Sequence, residues 1–146
     1  MKLKQLSLFL ENKPGALSRP VRILAKAGFN ILTLSVADAH QFGILRFILR
    51  DWEKAKKLLE KQGFVVKVTD MVAVEVADKP GGLSRILDVL EKARVNVEFM
   101  YACTEKHEGK AVMIFRFDDP DSAILILQKR RINVIGNADL LKHLEN

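Results

Sequence analysis

The chain has 146 residues, 49% of them hydrophobic and 29% charged, with a formal net charge of +6, a composition typical of a folded globular protein. No apolar run reaches about 18 residues, and the apolar stretch at the N-terminus is short and broken by Gln5 and Ser7, so we expect neither a membrane span nor a signal peptide. The single cysteine, Cys103, excludes an internal disulfide bond, and we expect a cytoplasmic protein.

Residues 1–69 predict the element order βαββαβ. Leu6, Leu8 and Leu10 alternate with the residues between them, which is the periodicity of a strand. Pro14 suits the first turn of a helix, and Gly28 suits its end. The apolar stripe of this helix consists of Leu17, Val21, Leu24 and Ala25. The later elements are strands over residues 30–37, 42–50 and 64–69, and a helix that follows Asp51 as its N-cap.

The second half of the chain repeats the first. Residues 78–97 match residues 12–31 at a constant offset of 66, with 10 of 20 positions identical, so the chain consists of two copies of one unit. The same reasoning places strands at 72–76, 96–104, 110–117 and 132–135, a helix after residue 81, a helix opened by Asp119-Pro120, and a short extra helix over 138–144.

This order predicts an α+β fold of two ferredoxin-like units, each an antiparallel sheet with two helices on one face. We expect the first unit at residues 1–69, the second at 70–137, and the extra helix at 138–146. Units this small bury a modest core, so we expect them to pair, within the chain or between chains.

The turn after the first strand is what the two copies share best. It reads Asn12-Lys13-Pro14-Gly15-Ala16-Leu17 in the first copy and Asp78-Lys79-Pro80-Gly81-Gly82-Leu83 in the second. A glycine followed by a small residue at a helix N-terminus leaves backbone N–H groups uncovered, and these can bind a carboxylate. Asn12 or Asp78 can bind an ammonium or amide group, so each turn is a candidate receptor for a zwitterion.

These stretches resemble the ACT domain. Its most recognisable pattern is Asn/Asp-x-Pro-Gly-x-Leu, then a helix, then a Gly-x-Asn-Ile turn into the second strand. The last part reads Gly28-Phe29-Asn30-Ile31 in the first copy and Arg94-Val95-Asn96-Val97 in the second, which departs from the pattern at Arg94. The resemblance covers nearly all of the chain.

The resemblance implies a regulatory protein without catalytic activity or cofactor. It implies an amino acid ligand bound between ACT units, a homodimer, and a metabolic enzyme as partner, but neither nucleic acid nor membrane. The site residues it implies are the turn residues Asn12, Gly15, Ala16, Leu17, Asp78, Gly81, Gly82 and Leu83, and, from the second strand of a partner unit, Asn30, Ile31, Leu32, Asn96, Val97, Met100 and Tyr101. For Leu17 and Leu83, the helical stripe favours a place in the core.

Two other functions stay open. Residues 11–19, ENKPGALSR, resemble the start of the ACT domain in the small subunit of acetolactate synthase, although that family has one ACT domain and a different C-terminal domain. RNA-binding modules share βαββαβ, but Phe47, Phe115 and Phe117 lie on strands that are apolar on both faces, which favours packing.

Catalytic and metal-binding patterns are missing from the sequence. His40, His107 and His143 lack metal-ligand spacing, and we find no Ser–His–Asp set, phosphate-binding loop or dinucleotide motif. The sequence therefore predicts no metal site and no enzymatic activity.

Overall fold

The computed structural model describes residues 1–145, except for the side chain of Ala39. The described part of the chain contains these strands and helices in order: β1 Leu3–Glu11, α1 Ser18–Lys26, β2 Thr33–Ala39, β3 Phe42–Ile48, α2 Trp52–Lys61, β4 Val66–Val76, α3 Gly82–Lys92, β5 Val97–Ala102, β6 Ala111–Phe117, α4 Pro120–Lys129, β7 Val134–Ile135 and α5 Asn137–Glu145. The predicted fold class, with βαββαβ twice, is confirmed. None of the helices in residues 1–145 is long and apolar enough to cross a bilayer.

The chain divides into two compact units. The N-terminal unit is Lys4–Thr69, and the C-terminal unit consists of Met1–Leu3 with the chain from Asp70 onward. The boundary falls inside β4, because the two strands expected at 64–69 and 72–76 form one continuous strand.

The N-terminal unit packs its two helices on one face of an antiparallel sheet. The strand order is β2-β3-β1-β4, with Leu6 opposite Phe47 and Leu8 opposite Leu45. Alternate residues of β1 point into the core because successive side chains of a strand lie on opposite faces. They pack there against Leu24 of α1 and, from α2, against Ala55 and Leu59.

The C-terminal unit repeats this arrangement in the order β5-β6-β4, with β7 paired to the other side of β4. Its core is made of alternate residues of β4 and β6 together with the inner faces of α3 and α4. These buried residues are Val72, Val74, Val76, Phe115, Phe117, Ile86, Leu90, Ala123 and Leu127.

Helix α1 differs from its prediction at the N-terminal end. It begins at Ser18, so Pro14 lies in the preceding turn and not in the first helical turn. Leu17 is 42% exposed, and its assignment to the core was wrong because it precedes the helix. Within α1 the buried residues are Pro20 and Leu24. In the second copy Leu83 is partly buried and packs against the core, as expected.

Two arginines occupy positions where the first copy has glycine. Gly28 and Arg94 both follow a helix with positive φ, at 81° and 57°. Each is followed by a residue whose N–H donates to a carbonyl five residues back, over 3.0 Å in both copies. Gly63 and Arg131 form a second such pair, with φ of 92° and 57°. The left-handed conformation costs an L-residue with a side chain about 1–2 kcal/mol, whereas glycine adopts it freely.

We expect Arg94→Gly to raise the free energy of unfolding by about 0.5–1 kcal/mol. The substitution removes the strain of the left-handed conformation, whereas the larger conformational entropy that glycine loses on folding offsets part of the gain. Gly28→Arg should lower it by a similar amount. Urea unfolding of both variants measures the two values, and a destabilised Arg94→Gly protein would contradict the interpretation.

The sequence predicted an aspartate N-cap for the second helix of each unit, α2 and α4. Only the aspartate of α4 caps its helix through the side chain. Asp119 accepts hydrogen bonds from the N–H of Ser122 (3.1 Å) and from its hydroxyl (2.7 Å), and Pro120 follows it in the first turn. Asp51 lies at the N-cap of α2 but makes no capping hydrogen bond through its side chain. The hydrogen bonds from Ser122 hold the pKa of Asp119 below its usual value.

A carboxyl group with a lowered pKa stabilises the fold above its unfolded-state pKa and loses that contribution as the pH falls through its folded-state pKa. We therefore expect the melting temperature of the wild type to exceed that of Asp119→Asn at neutral pH, and the difference to disappear in acid. Melting curves between neutral pH and about pH 2 test this. Asp51→Asn is the matched control and should show a much smaller pH-dependent difference.

Candidate ligand-binding site

The turns that follow β1 and β4 have the same backbone conformation. Gly15 and Gly81 each have a φ of 86°, a left-handed conformation that a residue with a side chain rarely adopts. The N–H of the next residue, Ala16 or Gly82, donates to the carbonyl of the lysine three positions earlier, at 3.3 Å and 3.0 Å. We call Asn12–Leu17 the first glycine turn and Asp78–Leu83 the second.

Each turn exposes amide groups at the start of its helix. Arg19 and Arg85 donate their N–H groups back to the carbonyls of Gly15 and Gly81, at 3.2 Å and 3.0 Å. Among residues 1–145, no acceptor is found for the N–H groups of Leu83 and Ser84, which lie between these hydrogen bonds. Since the positive end of the helix dipole lies here, the arrangement favours an anion.

The polar side chains that open the turns have partners within their own units. Asn12 donates from Nδ2 to the carbonyl of His40 over 3.1 Å. Asp78 forms an ion pair with Lys106, but both side chains remain more than half exposed. The prediction that Asn12 and Asp78 contact a ligand thus requires them to exchange or share these partners.

The start of the second strand of each unit lies at the far end of the sheet from the glycine turn. In the C-terminal unit, β4 reaches the second glycine turn where Val76 pairs with Ala111, whereas β5 begins where Val97 pairs with Phe117. Six residues of strand separate these positions, which corresponds to about 20 Å. The structure of one unit therefore does not bring the turn and the start of the second strand together, and a site containing both needs a second unit.

The individual strand residues differ in their surroundings. Val97 and Met100 pack against the core of the C-terminal unit, and Tyr101 pairs with Ile114. Asn96 is exposed and exchanges hydrogen bonds with Asp118, which accepts from its N–H at 3.0 Å. In the N-terminal unit Asn30 is exposed, Ile31 packs against the core, and Leu32 donates its N–H to Ile48.

A cleft lies beside the first glycine turn, between the turn and the connection that follows α2. This first cleft measures about 380 Å³. Its arginine, Arg19, is already held in place: it donates to the carbonyl of Gln62 over 3.0 Å and stacks on the ring of Phe64, 4.6 Å from the centroid. Lys13 of the same turn pairs with Glu11 at 2.8 Å.

The equivalent second cleft, of about 340 Å³, is richer in positive charge. Lys79, Arg85, Lys110 and Arg131 line it, and its acidic residue is Glu75. Arg85 corresponds to Arg19, but Ile132 replaces the phenylalanine, and no hydrogen bond of the Arg85 guanidinium is found among residues 1–145. The second cleft is therefore better suited to an anionic group than the first.

Sequence reasoning missed these cleft residues. Arg19 and Arg85 are among the identical positions of the repeat, so the signal was present, but Lys110 and Arg131 come from distant elements that only the fold brings near. It also missed a group around Glu75, His107 and Glu108, whose ligand atoms lie within 4.8 Å of one another.

The family model described as "ACT domain pair" matches residues 1–144, and the chain belongs to this family. The crystal structure of protein BT0572 from Bacteroides thetaiotaomicron is similar over 97% of both chains, with 36% identity and a TM-score of 0.89. The regulatory subunit of aspartate kinase from Thermus thermophilus shares the fold at 13% identity, with a TM-score of 0.64 over 88% of this chain and 93% of that one.

A curated relative is the acetolactate synthase small subunit of Buchnera aphidicola subsp. Baizongia pistaciae, which is 35% identical over 77 residues. The match spans 49% of this chain and 48% of the relative, so the chain aligns with about half of that protein.

The second glycine turn tolerates no side chain at its fifth position. A Cβ built on Gly82 would lie 1.9 Å from the carbonyl oxygen of Ala77, and this close approach lets α3 begin at Gly82. The first copy has Ala16 at this position, and its helix begins only at Ser18. We attribute the later start of α1 to this methyl group.

We expect Gly82→Ala to lower the free energy of unfolding by about 1–3 kcal/mol, the usual cost of forcing an extra methyl group into a filled space. Ala16→Gly should change it by at most about 1 kcal/mol. Urea unfolding compares the two variants, and a Gly82→Ala protein as stable as the wild type would rule out the close approach.

Proposed function

We propose that the chain is a regulatory protein that binds an amino acid at the second glycine turn and passes its occupancy to a partner enzyme. The observation that carries this proposal is the pair of unused amides at Leu83 and Ser84, next to a cleft lined by four cationic side chains. The carboxylate of an amino acid is one of the anionic groups that such donors bind.

The α-amino group of the ligand needs an acceptor near the same place. Asp78 lies at the start of the turn and is half exposed, so its carboxylate can serve once Lys106 is displaced or shared. Strand residues of a second unit, beginning with Asn30 or Asn96, would close the site. This role for a second unit supports a homodimer in solution.

The two copies differ enough that we expect them to differ in affinity. In the first cleft Arg19 is committed to Gln62 and Phe64, and Lys13 to Glu11. In the second cleft Arg85 is available, and Arg131 adds a charge that the first copy lacks because Gly63 stands there. The second turn is therefore our proposed ligand site.

A thermal-shift screen of the purified chain against the twenty amino acids tests the proposal, because a ligand that binds the native state raises its melting temperature. We expect a selective rise with one or a few amino acids at millimolar concentration. Arg85→Ala and Gly81→Val should remove the shift, whereas the matched control Arg19→Ala should keep it.

Two outcomes would contradict this. A shift that survives in Arg85→Ala but not in Arg19→Ala would move the site to the first turn. No shift with any amino acid would overturn amino acid binding by the isolated chain. Circular dichroism of each variant confirms that it is folded, which matters most for Gly81→Val because valine is strained at positive φ.

The relatives suggest the kind of enzyme. One is described as a small subunit of acetolactate synthase, which favours an enzyme of amino acid biosynthesis as the partner. Adding the chain to a purified acetolactate synthase catalytic subunit, with and without the amino acid found in the screen, would show a change in activity if that enzyme is the partner.

The RNA-binding alternative is weakened by the aromatic residues it needs. Phe47, Phe115 and Phe117 are fully buried, so they offer no surface on which a base could stack. Phe9 and Phe42 are exposed on one face of the N-terminal sheet. Salt-dependent binding of a single-stranded RNA, lost in Phe9→Ala, would support this alternative.

A further inference from the structure

A carboxylate of β4 that lines the second cleft is buried in the C-terminal unit and contacts the β5–β6 hairpin. The side chain of Glu75 is only 5% exposed. It comes close to the tip of the β5–β6 hairpin, where donor atoms of Glu75, His107 and Glu108 lie within 4.8 Å of one another. Buried carboxylates are found where hydrogen bonds or a metal ion compensate the lost hydration.

Glu75 lies between an imidazole and an ammonium group. Its Oε2 is 3.5 Å from Lys110 Nζ. His107 Nδ1 lies 2.5 Å from Glu75 Oε1. When Nδ1 donates to the carboxylate, the other ring nitrogen, Nε2, keeps its lone pair and faces away, as in metal sites where a carboxylate orients a ligating histidine.

A second imidazole lies next to the first. His143 of α5 contacts His107 edge to face, with the ring centroids 5.1 Å apart and the planes at 80°. Its Nε2 is buried and has no hydrogen-bond partner among residues 1–145, a state that costs free energy unless something binds there. Two imidazoles on one tetrahedral ion with metal–nitrogen distances of about 2.0–2.1 Å have centroids roughly 5 Å apart.

The two histidines line one cleft of about 310 Å³, together with Asn133, Asp139 and Lys142. Glu108 and Gly109 form the two-residue turn of the hairpin, with φ of 49° and 76° between the mutual hydrogen bonds of His107 and Lys110. Glu108 is exposed, and its carboxylate lies within 4.8 Å of the ligand atom of His107. Lys110, 3.5 Å from Glu75, is 55% exposed and can withdraw into solvent.

We propose that this cluster binds a divalent first-row transition ion of the Zn²⁺ type. His107 and Glu108, whose ligand atoms lie within 4.8 Å of each other, supply one nitrogen ligand and one oxygen ligand, and Glu75 orients His107. His143, whose ligand atoms lie outside that group, supplies the second nitrogen when its ring turns toward the ion. Mixed imidazole and carboxylate ligands suit Zn²⁺, Co²⁺ and Ni²⁺ better than Mg²⁺ or Ca²⁺, which prefer oxygen ligands alone. The proposal stands without an amino acid ligand, although Glu75 and Lys110 also line the second cleft.

Isothermal titration of tag-free protein, freed of metal with EDTA, tests the proposal with ZnCl₂ as the probe. We expect one Zn²⁺ per chain, and with CoCl₂ the intense visible absorption of a tetrahedral site. His143→Ala and His107→Ala should weaken Zn²⁺ binding at least tenfold. Glu75→Gln, which removes only the orienting group, should weaken it about 10–100-fold.

The matched control is His40→Asn, which changes an exposed histidine of the N-terminal unit and should leave Zn²⁺ binding unchanged. MgCl₂ should give no heat at the same concentration. No Zn²⁺ binding at micromolar concentration, or equal binding by His143→Ala and the wild type, would overturn the proposal and leave the cluster as an ion-pair network only. Circular dichroism verifies that His143→Ala, which sits on the terminal helix, is folded.

Discussion

The whole structure depends on the burial of one face of two short strand segments. Leu6, Leu8 and Leu10 of β1 and Val72, Val74 and Val76 of β4 are almost completely buried, while the residues between them point to the other face. Because units of this size have little core to spare, the two helices of each unit must pack on that face. Their packing in turn fixes where each helix begins, and thus where the glycine turns present their backbone amides.

The periodicity of the sequence and the repeat predicted the order of strands and helices, since apolar residues recur at intervals of two in the strands and of three or four in the helices. They could not predict that β4 is continuous, because Asp70 and Met71 look like a connection. The sequence also did not predict the late start of α1. We attribute it to the methyl group of Ala16, because the equivalent Gly82 has no room for a Cβ beside the carbonyl of Ala77, and no pattern of polarity records such a distance. The cluster at Glu75 combines residues from three elements that are far apart in sequence, so spacing rules for metal ligands could not find it.

The repeat provides an internal comparison that a single domain lacks. Where the copies agree, as at Gly15 and Gly81, the shared feature is the backbone conformation itself. Where they differ, the differences concentrate around one cleft: Phe9, Phe42, Gly63 and Phe64 in the first copy correspond in position to Glu75, Lys110, Arg131 and Ile132 in the second. Three of these four changes replace an apolar residue or glycine by a charged one. Arg131 adopts the left-handed conformation, which costs free energy in a residue with a side chain. This cost is consistent with a role for the positive charge of Arg131 in the cleft.

The β5–β6 hairpin contacts both the second glycine turn and the cluster around Glu75. Lys106 holds Asp78 of the second glycine turn, and the next residue, His107, holds Glu75 at the other cluster. A ligand that displaced Lys106 would therefore shift the residue beside the imidazole, and an ion on that imidazole would restrain the lysine. Thermodynamic linkage makes such an effect reciprocal, since each occupant changes the affinity for the other by the same factor. In such a chain, the affinity for the metabolite would depend on whether the metal ion is bound.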